Sequence, residues 1–307
     1  MNSMKFAVHQ LSRQGGREKN EDRMGYSYTR EAVLLVVADG MGGHPKGEVA
    51  AQLAVQTVSD LFQRQAQPSL SNVAGFLSEA LMAAHQAIVD HGNQHAMLDN
   101  PRTTLVVAVI QNGYVQWIHS GDSRIYLVRQ GKLLQRSRDH SYAEKHIMIR
   151  GQADPMNRNI LFTCLGSPVA PLFDVSDPIF LHEGDRVLLC SDGLWSELSD
   201  EHIAEQLALG RVQDAVPMLV DEALERGGAH GDNVTVLALD WETPGDFEPT
   251  HMISTEGVSD GVFASTIQAA GNIDASLDDF DDAAIERSIA EINEAIRRSS
   301  ARKGSNP

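Results

Sequence analysis

Hydrophobic residues fall into two rhythms along this chain. Short β-branched or alternating runs at 33–38 (VLLVVA), 103–110 (TTLVVAVI), 114–118 (YVQWI), 124–129 (RIYLVR), 186–190 (RVLLC) and 233–239 (NVTVLAL) predict strands. Helical spacing covers about 46–66, 73–92, 140–150, 200–208 and 211–226. The two long helices follow one another, and several strands then come in close succession. That order lacks the regular strand–helix alternation of a doubly wound parallel sheet. It predicts an α+β fold, with antiparallel sheets and helices packed outside them.

The rhythm breaks near 241–244. The stretch that follows, TPGDFEPTHMISTEGVSDG, has little periodicity and several breakers. Such a composition cannot bury enough apolar area to offset chain entropy. The expected division is therefore a folded body over 1–242 and an acidic, largely flexible tail over 243–307. Within the tail, Ile285, Ile289, Ile292 and Ile296 recur at helical spacing, with Asp281 and Asp282 before them and Arg297 and Arg298 after. That charge order matches a helix dipole and predicts an amphipathic helix near 281–298. It has two readings: a helix that packs back on the body or frays in solvent, and a docking segment for a partner.

Charge sharpens the division. The chain has 307 residues, is 42% hydrophobic and carries a formal charge of −17. The tail holds 5 of the 25 basic and 12 of the 42 acidic residues, so −7 belongs to it and −10 to the body. An acidic surface argues against nucleic acid or anionic lipid as the partner and is compatible with cations. The two cysteines, Cys164 and Cys190, cannot form a disulfide framework and fit a reducing compartment. No apolar run suits a signal peptide, and none approaches the roughly 18 to 20 residues of a membrane helix. The expectation is a soluble, cytoplasmic protein without a membrane partner.

The candidate chemistry lies in the placement of aspartates. Asp39 follows VLLVVA and precedes GMGG. Asp192 follows VLLCS and precedes GLW. Asp122 lies in HSGDSR between two strands, and Asp232 in HGDN just before a strand. A strand end is a rigid mount, and glycine permits close approach of backbone or ligand. One Asp-Gly after a strand is an ordinary turn; four such acids from distant segments are a pattern. Carboxylates brought together repel unless a cation holds them, and hard oxygen ligands select Mg²⁺ or Mn²⁺ over zinc. Two such ions about 4 Å apart activate water and orient in-line displacement at phosphorus. The residues point to a binuclear metallohydrolase, most plausibly a phosphatase.

These residues sit in segments that resemble the metal-dependent protein serine/threonine phosphatases of the PPM, or PP2C, family in their bacterial form. The matching segments are GGREKNEDRMG (15–25), VVADGMGGH (36–44), TTLVVAV (103–109), HSGDSRIYLV (119–128), RDHS (138–141), RNILFTCLGS (158–167), LLCSDGLW (188–195) and GDNVTVL (231–237), in the family's order. The resemblance implies a four-layer α-β-β-α sandwich with a binuclear metal cleft at one end.

It also implies residue roles. Asp39 bridges two metals, the Gly40 carbonyl completes one site, and Asp192 and Asp232 hold the other metal. Asp22 accepts hydrogen bonds from metal-bound water, with Glu21 beside it. Asp122, with Asp192, forms a weaker third site; its alternative role is to hold the SGDSR turn. Arg17 binds the substrate phosphate. Met41 stands where animal members carry a histidine proposed as general acid. His44, three residues on, has two readings, a substrate-facing residue and a helix-entry surface residue. Residues 142–159 fall where relatives have a flap beside the cleft. The implied reaction is hydrolysis of phosphoserine or phosphothreonine on a protein by a metal-activated water, without a covalent phosphoenzyme, opposing a Ser/Thr kinase. The rival reading is a metal-binding pseudophosphatase or scaffold without turnover.

Overall fold

The computed structural model describes residues 4–144, 160–241, 253–254 and 264–267. Chain order begins with β1 (Lys5–Arg13), β2 (Arg23–Tyr28), β3 (Ala32–Ala38), α1 (Gly47–Gln65) and α2 (Val73–Gln94). It continues with β4 (Leu105–Gln111), β5 (Tyr114–Ser120), β6 (Arg124–Arg129), β7 (Lys132–Arg136), β8 (Asp174–Val175), β9 (Ile179–Phe180) and β10 (Arg186–Cys190). A single helical turn α3 (Asp192–Trp195), then α4 (Asp200–Leu209), α5 (Val212–Gly227) and β11 (Val234–Trp241), complete the body. Two short strands follow, β12 (Ile253–Ser254) and β13 (Ala264–Ser265).

The strands form two antiparallel sheets. One has the order β12-β1-β11-β10-β6-β7, the other β13-β2-β3-β4-β5-β8, with β9 also on β5. The period-2 alternation of strands explains the layers. On β3, Val33, Leu35 and Val37 point between the sheets, while Leu34, Val36 and Ala38 point at α1 and α2. On β11, Leu237, Leu239 and Trp241 point between the sheets, while Val234, Val236 and Ala238 point at α4 and α5. Three apolar layers thus separate four structural layers, the expected α-β-β-α sandwich. Both faces of the central strands are buried, which is why they read as continuous apolar runs.

The runs at 33–38, 103–110, 114–118, 124–129, 186–190 and 233–239 all lie on strands, with ends shifted by a residue or two. Seven of the described strands escape that reading, four of them only two residues long (β8, β9, β12 and β13). β1, β2 and the exposed β7 carry polar residues on a half-covered face. The helix expected over 140–150 and the loop expected over 142–159 lie largely outside the described residues, as does the predicted 281–298 helix.

Chain beyond Trp241 contributes to both sheets. Ile253 and Ser254 pair with Phe6 and Lys5, and Ala264 and Ser265 pair with Tyr28 and Ser27. Thr266 N donates to the Tyr26 carbonyl at 3.0 Å. Ile267 packs against the α1–α2 layer. Gly25 makes the room: a Cβ there would lie 2.3 Å from Ile267 Cγ1.

Candidate metal centre

The strand registers gather one set of ends. Arg23 at the start of β2 faces Ala38 at the end of β3. Cys190 at the end of β10 faces Val236 near the start of β11 and Arg124 at the start of β6. The residues just outside these ends, Asp22, Asp39, Asp122, Asp192 and Asp232, therefore converge. Asp39, Gly40, Asp122, Asp192, Asp232 and Arg17 line one cleft of about 530 Å³. Asp22 is buried, only 4% exposed.

Each acid is held by its backbone or its neighbours. The Asp39 carbonyl accepts from Thr104 N and Thr103 Oγ1, both at 2.8 Å. The Asp39 amide donates to Thr104 Oγ1 at 3.2 Å. At Gly40 a Cβ would come within 2.5 Å of the Gly47 carbonyl, so only glycine lets α1 begin against this turn. Ser191 Oγ donates to Asp22 Oδ2 at 2.7 Å, whereas Asp22 Oδ1 is buried without a partner. Asn233 is the hub of the opposite rim. Its Oδ1 accepts from Glu21 N at 2.8 Å, and its Nδ2 donates to the carbonyls of Gln14 and Lys19 at 2.7 and 2.9 Å. That stitches the loop bearing Arg17 onto the turn bearing Asp232.

Electrostatics make the set a candidate cation site. Burial pushes the Asp22 carboxyl up to about 7 and that of Asp192 up to about 6, and neighbouring carboxylates push in the same direction. Asp39 and Asp122 are raised well above the ordinary range for the same reasons. Asp39 and Asp192 are close enough to share a hydrogen bond. The cation beside them is Arg17, whose Nη2 reaches Asp232 Oδ2 at 2.5 Å. Its own pKa is raised by that bond. An all-oxygen set with excess negative charge and an orphaned carboxylate oxygen fits hard divalent ions such as Mg²⁺ or Mn²⁺.

Residues 11–222 match the family model of protein phosphatase 2C. The chain belongs to the protein phosphatase 2C family. The serine/threonine protein phosphatase PstP of Mycobacterium tuberculosis is 34% identical over 231 residues, 73% of this chain, and the match spans 42% of PstP. The serine/threonine phosphatase stp of Listeria monocytogenes is 31% identical over 234 residues, 73% of this chain and 91% of that protein. Among solved structures, the M. tuberculosis PstP/Ppp phosphatase matches with a TM-score of 0.66 and 33% identity, over 78% of this chain and 99% of that one. The PstP catalytic domain in complex with two manganese ions matches with a TM-score of 0.64 and 32% identity, over 78% and 99%. The sandwich is thus the fold of the bacterial PPM phosphatases.

Of the expected site residues, His44 stands apart. Its Nδ1 lies 2.8 Å from Asp99 Oδ2, and Asp99 also holds Arg102 at 3.1 Å. His44 is not among the residues lining the cleft. Lys19, Thr104 and Asn233 do line it, although sequence reasoning gave them no role. Their only signal was membership of the quoted segments 15–25, 103–109 and 231–237.

His119, His140 and Asp174 form a separate group, with one potential ligand atom from each within 4.8 Å of the others. The two imidazoles stack at 4.6 Å and 15°, so their lone pairs run in nearly parallel planes and do not converge on one point. His119 Nε2 is bonded to the Arg138 carbonyl at 2.7 Å and His140 Nε2 to Asp174 at 3.2 Å. The group packs the loop around 138–141 against β5 and the Gly121 turn.

Proposed function

We propose that the protein is a metal-dependent serine/threonine phosphatase acting on phosphoproteins, with Asp39, the Gly40 carbonyl, Asp192 and Asp232 holding two Mn²⁺ or Mg²⁺ ions. The observation that carries this reading is the convergence of four aspartates, Asp39, Asp122, Asp192 and Asp232, from separate strand ends in one cleft with only Arg17 paired among them, and with the buried Asp22 beside them. Bound divalent ions supply water activation and neutralise phosphoryl charge. The chain's own residues do the rest. Arg17, whose planar guanidinium already grips a carboxylate, exchanges Asp232 for two phosphoryl oxygens of the substrate. Asp22, with Oδ2 fixed by Ser191 and Oδ1 free of protein partners, accepts a hydrogen bond from water in the centre. Asp122 and Asp192 would hold a weaker third cation. Asn233 keeps the Arg17 loop in register with Asp232.

Met41 offers no proton, so the leaving alkoxide takes one from solvent in the cleft. Attack is direct, without a covalent phosphoenzyme. Among the described residues no helix is long and apolar enough to cross a membrane. Both cysteines are free and buried, which fits a reducing compartment, and in this reading the enzyme is cytoplasmic and opposes a Ser/Thr kinase. The part of the acidic tail beyond Ile267 serves as a docking segment for the phosphoprotein.

The test is hydrolysis of a phosphothreonine peptide by the full chain with Mn²⁺. Turnover that chelator abolishes is expected. A soundly folded, Mn²⁺-binding protein with no turnover would replace the enzyme by a phosphoprotein-binding scaffold.

A further inference from the structure

Asp192 opens the helical turn α3 and Trp195 closes it. The Trp195 indole Nε1 donates to the Asp122 carbonyl at 2.9 Å, a contact 73 residues apart in sequence. The same ring lies under the Arg124 guanidinium, 3.7 Å from its centroid. Arg124 is itself immobilised. Nε and Nη2 grip Asp139 at 2.8 and 2.7 Å, and Nη1 reaches Asp200 Oδ1 at 3.0 Å. Asp200 in turn binds Tyr126 and Arg136, at 2.8 and 2.6 Å. One side chain therefore bolts the turn bearing Asp122 to the turn bearing Asp192, and a buried ion network holds the bolt.

We propose that Trp195 is a positioning residue that sets the separation of Asp122 and Asp192 and so governs the affinity of the weaker third cation. The inference rests on the proposed sharing of that cation by these two carboxylates. The two tighter ions depend on Asp39, Asp192 and Asp232, and Asp39 hangs from Thr103 and Thr104 just before β4; Asp122, whose carbonyl the Trp195 N–H holds, serves the third cation alone. Loosening Trp195 should therefore weaken one site and spare the others. A cation bound between two carboxylates is sensitive to their spacing, and outer groups that orient ligands are worth about 10- to 100-fold in metal affinity.

The experiment is Mn²⁺ titration calorimetry on the full chain, on Trp195→Phe and on Asp122→Asn, with thermal melts to check folding. Phe keeps an aromatic face under Arg124 and removes only the N–H donor. The expected result is that Trp195→Phe weakens the low-affinity Mn²⁺ event about tenfold and leaves the high-affinity events unchanged. Asp122→Asn should abolish the low-affinity event. A Trp195→Phe protein with a wild-type low-affinity event, beside an Asp122→Asn protein that lacks it, overturns the positioning role alone. An Asp122→Asn protein that retains the event overturns the shared-cation reading, and the inference falls with it. Weakening of every event in Trp195→Phe would mark the residue as merely structural.

Discussion

Two groups of buried charge lie side by side in this molecule, and they are built oppositely. Around Arg124 every charge is matched: Asp139 takes two guanidinium nitrogens, Asp200 the third, and Arg136 the far oxygen of Asp200. In the cleft, Asp22, Asp39, Asp122 and Asp192 face one another with Arg17 at the edge, and burial and repulsion raise all four. A paired buried network fixes geometry, and its charges are silent outside the fold. An unpaired one is unstable until something positive arrives. The difference separates architecture from chemistry in residues of the same type a few positions apart.

The comparison can be broken at either end. The largest effect is expected from Asp39→Asn or Asp192→Asn. Mn²⁺-dependent kcat/KM should fall by more than about a hundredfold, exceeding the loss typical of an outer-shell change. The metal-free protein should melt no lower, since repulsion is relieved. A folded variant with near-normal kcat/KM would remove these residues from the centre.

Arg124→Met acts in the opposite sense. It strips Asp139 of its bidentate partner, while Asp200 keeps Arg136 and Tyr126, and should cost about 3 kcal/mol in urea unfolding. Arg17→Ala should cost little stability but raise KM for a phosphopeptide about ten- to a hundredfold, the worth of a charge-assisted contact.

The pH dependence follows from the sign of the shifts. Asp22 and Asp192 hold protons more tightly folded than unfolded. Their contribution to stability is full below about pH 4 and is lost as pH rises through about 6 to 7. Metal-free melting temperature should decline across that window from this source, and Mn²⁺ should flatten the decline. A metal-free curve that rises through the window, with no levelling in Asp192→Asn, would deny the repulsion.

The smallest effect is at the uncharged edge. Ile267→Ala should cost about 1 kcal/mol and leave hydrolysis of a small aryl phosphate unchanged. A large loss of that activity would place the tail contact in the catalytic machinery.

How much of this was legible beforehand depends on what each residue contacts. β3, β4, β10 and β11 are buried on both faces, so their β-branched runs announced themselves. β1 and β2 carry polar residues because one of their faces is only half covered, so their runs are broken. Asp39, Asp192 and Asp232 were visible because each follows or precedes a strand beside glycine. Asn233, Thr103, Thr104 and Ser191 were not assigned, because their work is a hydrogen bond to a residue tens to hundreds of positions away. His44 was left with two readings because proximity in sequence to Asp39 does not say which way it turns; in the fold it lies against Asp99, outside the cleft lining.

The central claim is that the unpaired carboxylates form a divalent-cation site whose filling switches on the cleft. Mn²⁺ titration calorimetry near pH 6.5, in buffers of different ionisation enthalpy, measures ions bound and protons released together. Two tightly bound ions per chain are predicted, with net proton release as Asp22, Asp39 and Asp192 give up the protons that burial made them keep. Both the binding and the release should be lost in Asp192→Asn. Mn²⁺ binding without proton release, or undiminished in that variant, would contradict the account.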